Sequence, residues 1–145
     1  MKKSKNKIFI VEDDQFYAEI IRNTLLNEGF TDLEVFESGS ECISNLDHKP
    51  NIIILDHMLG QMSGISVLKK VKSWNQNVQV IFLSAQAEME VAVNALKFGA
   101  FDYIEKTQKS AMTCLLVILE RAIEIQQKKK INQRHESIKK WFLIQ

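Results

Sequence analysis

At four places along the chain an apolar run ends in a side chain that can do chemistry: Glu12, Asp13 and Asp14 after residues 8–11, Asp56 after 52–55, Ser84 after 78–83, and Lys106 just beyond Tyr103 and Ile104. Carboxylates gathered at one spot repel one another and raise each other's pKa unless a cation relieves them. A divalent cation does so, and ligands that are all oxygen, with no His or Cys, favour Mg2+, or Mn2+ in its place, over zinc or copper. A carboxylate can also act as a nucleophile and form an aspartyl phosphate. That chemistry depends chiefly on positioning and on neutralising the transferring group. Asp56 would attack, the metal would bridge it to the phosphoryl oxygens, and Lys106 and Ser84 would hold the remaining oxygens. Singly, each residue has a plainer role: Asp14 suits a helix N-cap, Ser84 a turn, Lys106 a solvated surface. Their joint position at strand ends is what points to a site.

The elements that must place them alternate. Residues 8–11, 33–36, 52–55, 78–83 and 103–104 read as strands. The run 52–55 is apolar throughout, as in a parallel strand covered on both faces. Between them lie helical faces: Phe16, Ile20, Ile21, Thr24 and Leu25; Ile65, Leu68 and Val71; Val91, Ala92, Ala95, Leu96 and Phe98; Leu115, Ile118, Leu119, Ala122 and Ile125. Cys42, Ile43 and Leu46 suggest a shorter helix, and Gly29 and Gly99 stand where helices should stop. Strict alternation implies a doubly wound α/β fold with right-handed crossovers. Ligands of such sheets bind beyond the C-terminal strand ends.

Length and composition fit one globular domain: 145 residues, 46% hydrophobic, 26% charged. The basic start is followed by an apolar run too short for a signal peptide or a membrane span. Cys42 and Cys114 lie in no metal-ligand spacing, which suits reduced thiols in the cytoplasm. The net charge of +1 hides an asymmetry, because residues 128–145 carry six Lys or Arg against one acid and leave 1–127 at −4.

The succession IFIVEDD, IIILD, FLSA and GAFDYIEK resembles the receiver domains (REC, CheY-like) of bacterial two-component response regulators. The resemblance covers residues 6–127 and implies five parallel strands in the flavodoxin-like order 2-1-3-4-5. It implies that Asp13 ligates the metal directly and Glu12 through water, that Asp56 is the phosphoacceptor, and that Met58 lends its backbone carbonyl to the metal. Ser84 matches the switch hydroxyl, Ala85 a backbone N–H donor to the phosphoryl group, Lys106 the family's lysine, and Tyr103 the aromatic that moves inward on activation. The implied function is Mg2+-dependent acceptance of a phosphoryl group from a sensor histidine kinase or phosphotransfer protein, with protein contacts switched in response. The domain would catalyse only its own phosphorylation and dephosphorylation. The alternative is a receiver-fold interaction module that works without phosphorylation.

Three departures from the family pattern stand out. Thr107 follows Lys106 where the family usually has a cis proline, so either strain is kept or the loop is rebuilt. Gly60 stands where proline is common after the phosphoacceptor, loosening that loop. Met58 and Gln86 occupy the positions that tune dephosphorylation; Met58 cannot orient a water and Gln86 can, which implies a moderately long-lived phosphoryl state. His57 is expected to face solvent or pack locally. The last helix should run to about Gln133, with 128–145 a basic helical extension or linker. This end would lead to an output domain, meet a downstream protein or pair with a second copy of the chain. No nucleic-acid module fits within it.

Overall fold

The computed structural model describes residues 3–85 and 89–144. Its elements in chain order are β1 (Ile8–Val11), α1 (Gln15–Asn27), β2 (Leu33–Phe36), α2 (Gly39–Ser44), β3 (Ile52–Asp56), β4 (Met58–Leu59), β5 (Met62–Ser63), α3 (Gly64–Trp74), β6 (Gln79–Ser84), α4 (Met89–Lys97), β7 (Asp102–Glu105) and α5 (Ala111–Ile144). The main sheet has the order β2-β1-β3-β6-β7, and every pairing in it is parallel. Counted over its five strands this is the order 2-1-3-4-5 that the sequence implies.

Strand alternation divides the core into two layers. Phe9, Val11, Ile53, Leu55, Val80 and Phe82 pack with Cys42, Val67, Leu68, Val71 and Ala95 on one face of the sheet. Ile8, Ile10, Ile52, Ile54, Ile81 and Leu83 pack with Ile21, Leu25, Leu115, Leu119, Ala122 and Ile123 on the other. Because helices cover both faces, β3 is buried at every position, and a half-polar sequence could not occupy it. Cys42 is buried and Cys114 partly so, and both are free thiols.

The helices correct the expected faces in phase. Asp14 caps α1 through its carboxylate, which accepts from the Phe16 and Tyr17 N–H groups. The cap turns Phe16 outward, where it is 76% exposed, and the buried stripe is Ala18, Ile21 and Leu25. In α4 only Ala95 is fully buried, while Leu96 and, just past the helix end, Phe98 stay substantially exposed. The helix α5 continues to Ile144, well past Gln133, since neither Gly nor Pro interrupts it. Its last anchor on the body is Gln126, whose amide donates to the carbonyls of Asn51 and Asn77, and every residue from 127 to 144 is exposed. No described helix is long and apolar enough to cross a membrane.

The hairpin β4–β5 was not foreseen. Gly60, at φ 72°, makes its turn, so the residue expected to loosen this loop closes it. Beneath it, the Gly64 N–H donates to the His57 carbonyl at 2.9 Å. A Cβ on Gly64 would lie 2.7 Å from the Asp56 carbonyl oxygen, 2.8 Å from the Phe82 ring and 2.9 Å from the His57 Cα. Two of these three neighbours are backbone and cannot swing away. Gly64→Ala is therefore expected to lower unfolding stability by about 1–3 kcal/mol in urea titrations; an unchanged midpoint would show that the Asp56–His57 peptide shifts freely. Deleting residues 131–145 should leave Tm within about 2 °C, because residues 131–144 are all exposed. A fall beyond about 5 °C would mean that the extension folds back onto the body.

Candidate functional site

Strand register brings the chemical residues to one rim. Glu12 follows β1 directly and its N–H donates to the Phe36 carbonyl. Asp56 ends β3 opposite Leu83, and Ser84 ends β6 opposite Glu105. The Lys106 N–H donates to the Ser84 carbonyl at 2.7 Å, which ties the start of the loop after β7 to the end of β6. Adjacent strands β1, β3, β6 and β7 thus each contribute to the same C-terminal edge.

Glu12, Asp13 and Asp56 each offer a carboxylate oxygen within 4.8 Å of the others; Glu12 and Asp56 are buried, Asp13 exposed. The Lys106 ammonium reaches in from β7, pairing with Glu12 Oε1 and lying 3.2 Å from Asp56 Oδ1. Glu12 Oε2 accepts from the Asp14 N–H at 3.2 Å. Burial pushes the Glu12 carboxyl up to about 7, the Asp56 charge pushes the same way, and the Lys106 and Asp14 hydrogen bonds oppose them. Burial by itself would lower the Lys106 pKa, but the hydrogen bond to Glu12 and the charges of Asp56 and Glu12 outweigh it and leave the pKa raised. Among the described residues, one fixed cation thus faces three carboxylates. The remaining negative charge, an all-oxygen donor set and one solvent-facing ligand in Asp13 fit a hard divalent cation.

Ala85 follows Ser84 at the exposed rim. The Met58 side chain is 67% exposed on β4 and brings no polar group to the rim. Tyr103 lies in β7 opposite Phe82, with the two rings nearly parallel and 6.2 Å apart. His57 packs locally, its ring 5.8 Å from that of Phe82, and its Nδ1 has no hydrogen-bond partner among the described residues. No described peptide bond is cis, so Lys106–Thr107 is trans and the loop is rebuilt, with Thr107 Oγ1 donating to Glu105. Gln86 lies outside the described residues.

One neighbour of the site was missed. Tyr17 reaches from α1 to Lys106: its hydroxyl donates to the Lys106 carbonyl at 3.4 Å, and the Lys106 Nζ lies 4.6 Å from its ring centroid. Burial raises the Tyr17 pKa. The signal was available, because a cap at Asp14 places positions 17, 18, 21 and 25 on the inner face of α1.

A buried carboxylate beside one fixed cation, with two more carboxylates able to hold a metal, is equipped to attack an electrophilic phosphorus. Comparisons with known proteins identify the family. The model of the response regulator receiver domain matches residues 8–117. The regulatory protein AtoC of Escherichia coli is 31% identical over 135 residues, covering 92% of this chain and 29% of AtoC. The chemotaxis protein CheY of Bacillus subtilis is 28% identical over 102 residues, 70% of this chain and 85% of CheY. The crystal structure of a CheY-like receiver domain protein from Methanospirillum hungatei superposes with a TM-score of 0.78 at 25% identity, covering 86% of this chain and 98% of that one. The chain spans between 26% and 29% of the length of the first curated relatives it matches. With the family model matching three quarters of its length and the sheet order agreeing with the fold of the solved neighbour, the chain belongs to the receiver domain family of two-component response regulators.

Proposed function

We propose that this domain is a phosphorylation switch in which Asp56 accepts a phosphoryl group from a histidine kinase or phosphotransfer protein in the cytoplasm. The observation that carries this is the placement of Asp56, buried, ion-paired to Lys106 and within ligand distance of Glu12 and Asp13. An Asp56 carboxylate oxygen forms a bond to phosphorus as the donor's P–N bond breaks, and the donor imidazole leaves with the electron pair. Lys106 stays beside Asp56 and neutralises a phosphoryl oxygen; Ser84 and the Ala85 N–H receive the others. Asp13 would hold Mg2+ or Mn2+ directly with Asp56 and the Met58 carbonyl, and Glu12 through water; the bound cation supplies charge neutralisation between carboxylate and phosphoryl group.

The new aspartyl phosphate brings a strong local charge that draws Ser84 inward and opens room for Tyr103, changing the face formed by α4, β7 and α5. Residues 6–127 form the switch and 128–145 a helical extension towards an output domain, a partner or a second copy. As in the family at large, the domain signals and turns over no separate substrate.

Incubation with acetyl phosphate and Mg2+ should give one phosphoryl adduct by intact-protein mass spectrometry, absent without metal and absent in Asp56→Asn. A folded wild type that never acquires the adduct would replace this reading with a receiver-fold module that binds its partner without phosphorylation. The apolar Met58 also sets a lifetime, since it presents no group to orient the attacking water. Met58→Asn is expected to shorten the half-life of the adduct several-fold, about 3- to 10-fold, because an amide at the rim can hold that water. An unchanged half-life would place control of hydrolysis elsewhere.

A further inference from the structure

We infer that Tyr17 is a positioning residue that keeps the Lys106 ammonium at Asp56 when a divalent cation and a phosphoryl donor are bound. This rests on the phosphoryl-acceptor reading of the site and adds to it the group that holds the lysine.

Among the described residues, the Lys106 Nζ lies against Glu12 Oε1, Asp56 Oδ1 and the Tyr17 ring. The first two are carboxylates that a divalent cation also attracts, together with Asp13. Any cation bound there draws electron density from the oxygens that hold the lysine and repels its positive charge. The ring competes for neither, since its attraction is between the ammonium and the π face and does not involve a carboxylate. Tyr17 is partly buried, so this attraction is less screened than at an open surface. A lysine stem has many rotamers, and a lysine released by both carboxylates would otherwise swing towards solvent. The Tyr17 hydroxyl adds a second, weaker hold: at 3.4 Å from the Lys106 carbonyl it lies at the long end of hydrogen bonding and steadies the peptide that precedes Thr107.

The fixed start of α1 is what makes the ring available. Asp14 caps the helix by accepting from the Tyr17 N–H at 3.2 Å, so the residue that faces Lys106 is anchored by the residue next to the acid pair. Backbone and side chain of Tyr17 are thus fixed from opposite ends before any ligand arrives.

The test has two arms on the full chain. In the first, 13C-labelled lysine is followed by NMR with and without Mg2+. The Lys106 ε-methylene should be shifted upfield by the Tyr17 ring current, keep that shift at saturating Mg2+, keep it in Tyr17→Phe and lose it in Tyr17→Leu. In the second, the rate of adduct formation from acetyl phosphate should fall about 5- to 30-fold in Tyr17→Leu, stay within about 3-fold of wild type in Tyr17→Phe, and be insensitive to Tyr17→Leu in a Lys106→Met background. Tyr17→Met, closer in length, replaces Tyr17→Leu if that variant melts below the assay temperature. Loss of the ring-current shift on adding Mg2+ overturns the inference, and so does an equal loss of rate with and without Lys106. A wild type that forms no adduct defeats the phosphoryl-acceptor reading instead, while the NMR arm still reports whether ring and lysine stay together.

Discussion

Among the described residues, the structure turns on one unequal charge balance: the ammonium of Lys106 set against Glu12, Asp13 and Asp56. In water such a cluster would cost little, but two of the carboxylates are buried, and desolvation magnifies every repulsion among them. Lys106 relieves part of the excess and leaves a Glu12 carboxyl whose pKa is pushed up to about 7. A fold selected for stability alone would place apolar residues there or add a second cation. The unrelieved negative charge suits the proposed role, because a divalent cation would neutralise both what the protein leaves over and the charge that an incoming phosphoryl group adds.

Only a well-built scaffold can hold such a rim. The parallel register of β1, β3 and β6 fixes Glu12 and Asp56 on neighbouring strands, and the Lys106 N–H bonded to the Ser84 carbonyl fixes the end of β7 to β6. Beneath them, β3 and β6 are buried along their whole length, so no strand can slip by one residue without sending a whole row of Ile, Val and Phe to the wrong face. The close approach of α3 at Gly64 adds a steric limit from below. Core packing and site geometry are therefore a single constraint here.

Much of this was legible in the sequence, for physical reasons that differ by element. The central strands β1 and β3 announce themselves because buried β runs are apolar nearly throughout, whereas β2 and β7, with Glu34, Asp102 and Glu105, are read from the alternation around them, and the candidate site residues stand out only by falling together at successive strand ends. Helix phase was harder. An aromatic such as Phe16 beside Tyr17 gives two competing faces, and the capping carboxylate of Asp14, not hydrophobicity, decides between them. In α4 the apolar residues outnumber the buried ones, so Leu96 and Phe98 look like core in sequence and stay exposed in the fold. The end of α5 was misplaced because a basic stretch without Gly or Pro carries no stop signal, and the helix runs on to Ile144. The hairpin at Gly60 was hidden because two-residue strands have no periodicity to read.

The loop after β7 shows how one function can be met by different means. In the family pattern, a proline after the lysine restricts the backbone there; this chain has Thr107, which restricts φ far less and leaves the peptide trans. Three hydrogen bonds stand in its place. Lys106 N–H donates to Ser84, Thr107 Oγ1 donates to Glu105, and the Tyr17 hydroxyl donates to the Lys106 carbonyl. A ring fixes the chain locally, whereas the first and third of these contacts fix it by tying the end of β7 to β6 and to α1. The position of the lysine then depends on the packing of α1, and a residue on a helix remote in sequence becomes part of the geometry of the site.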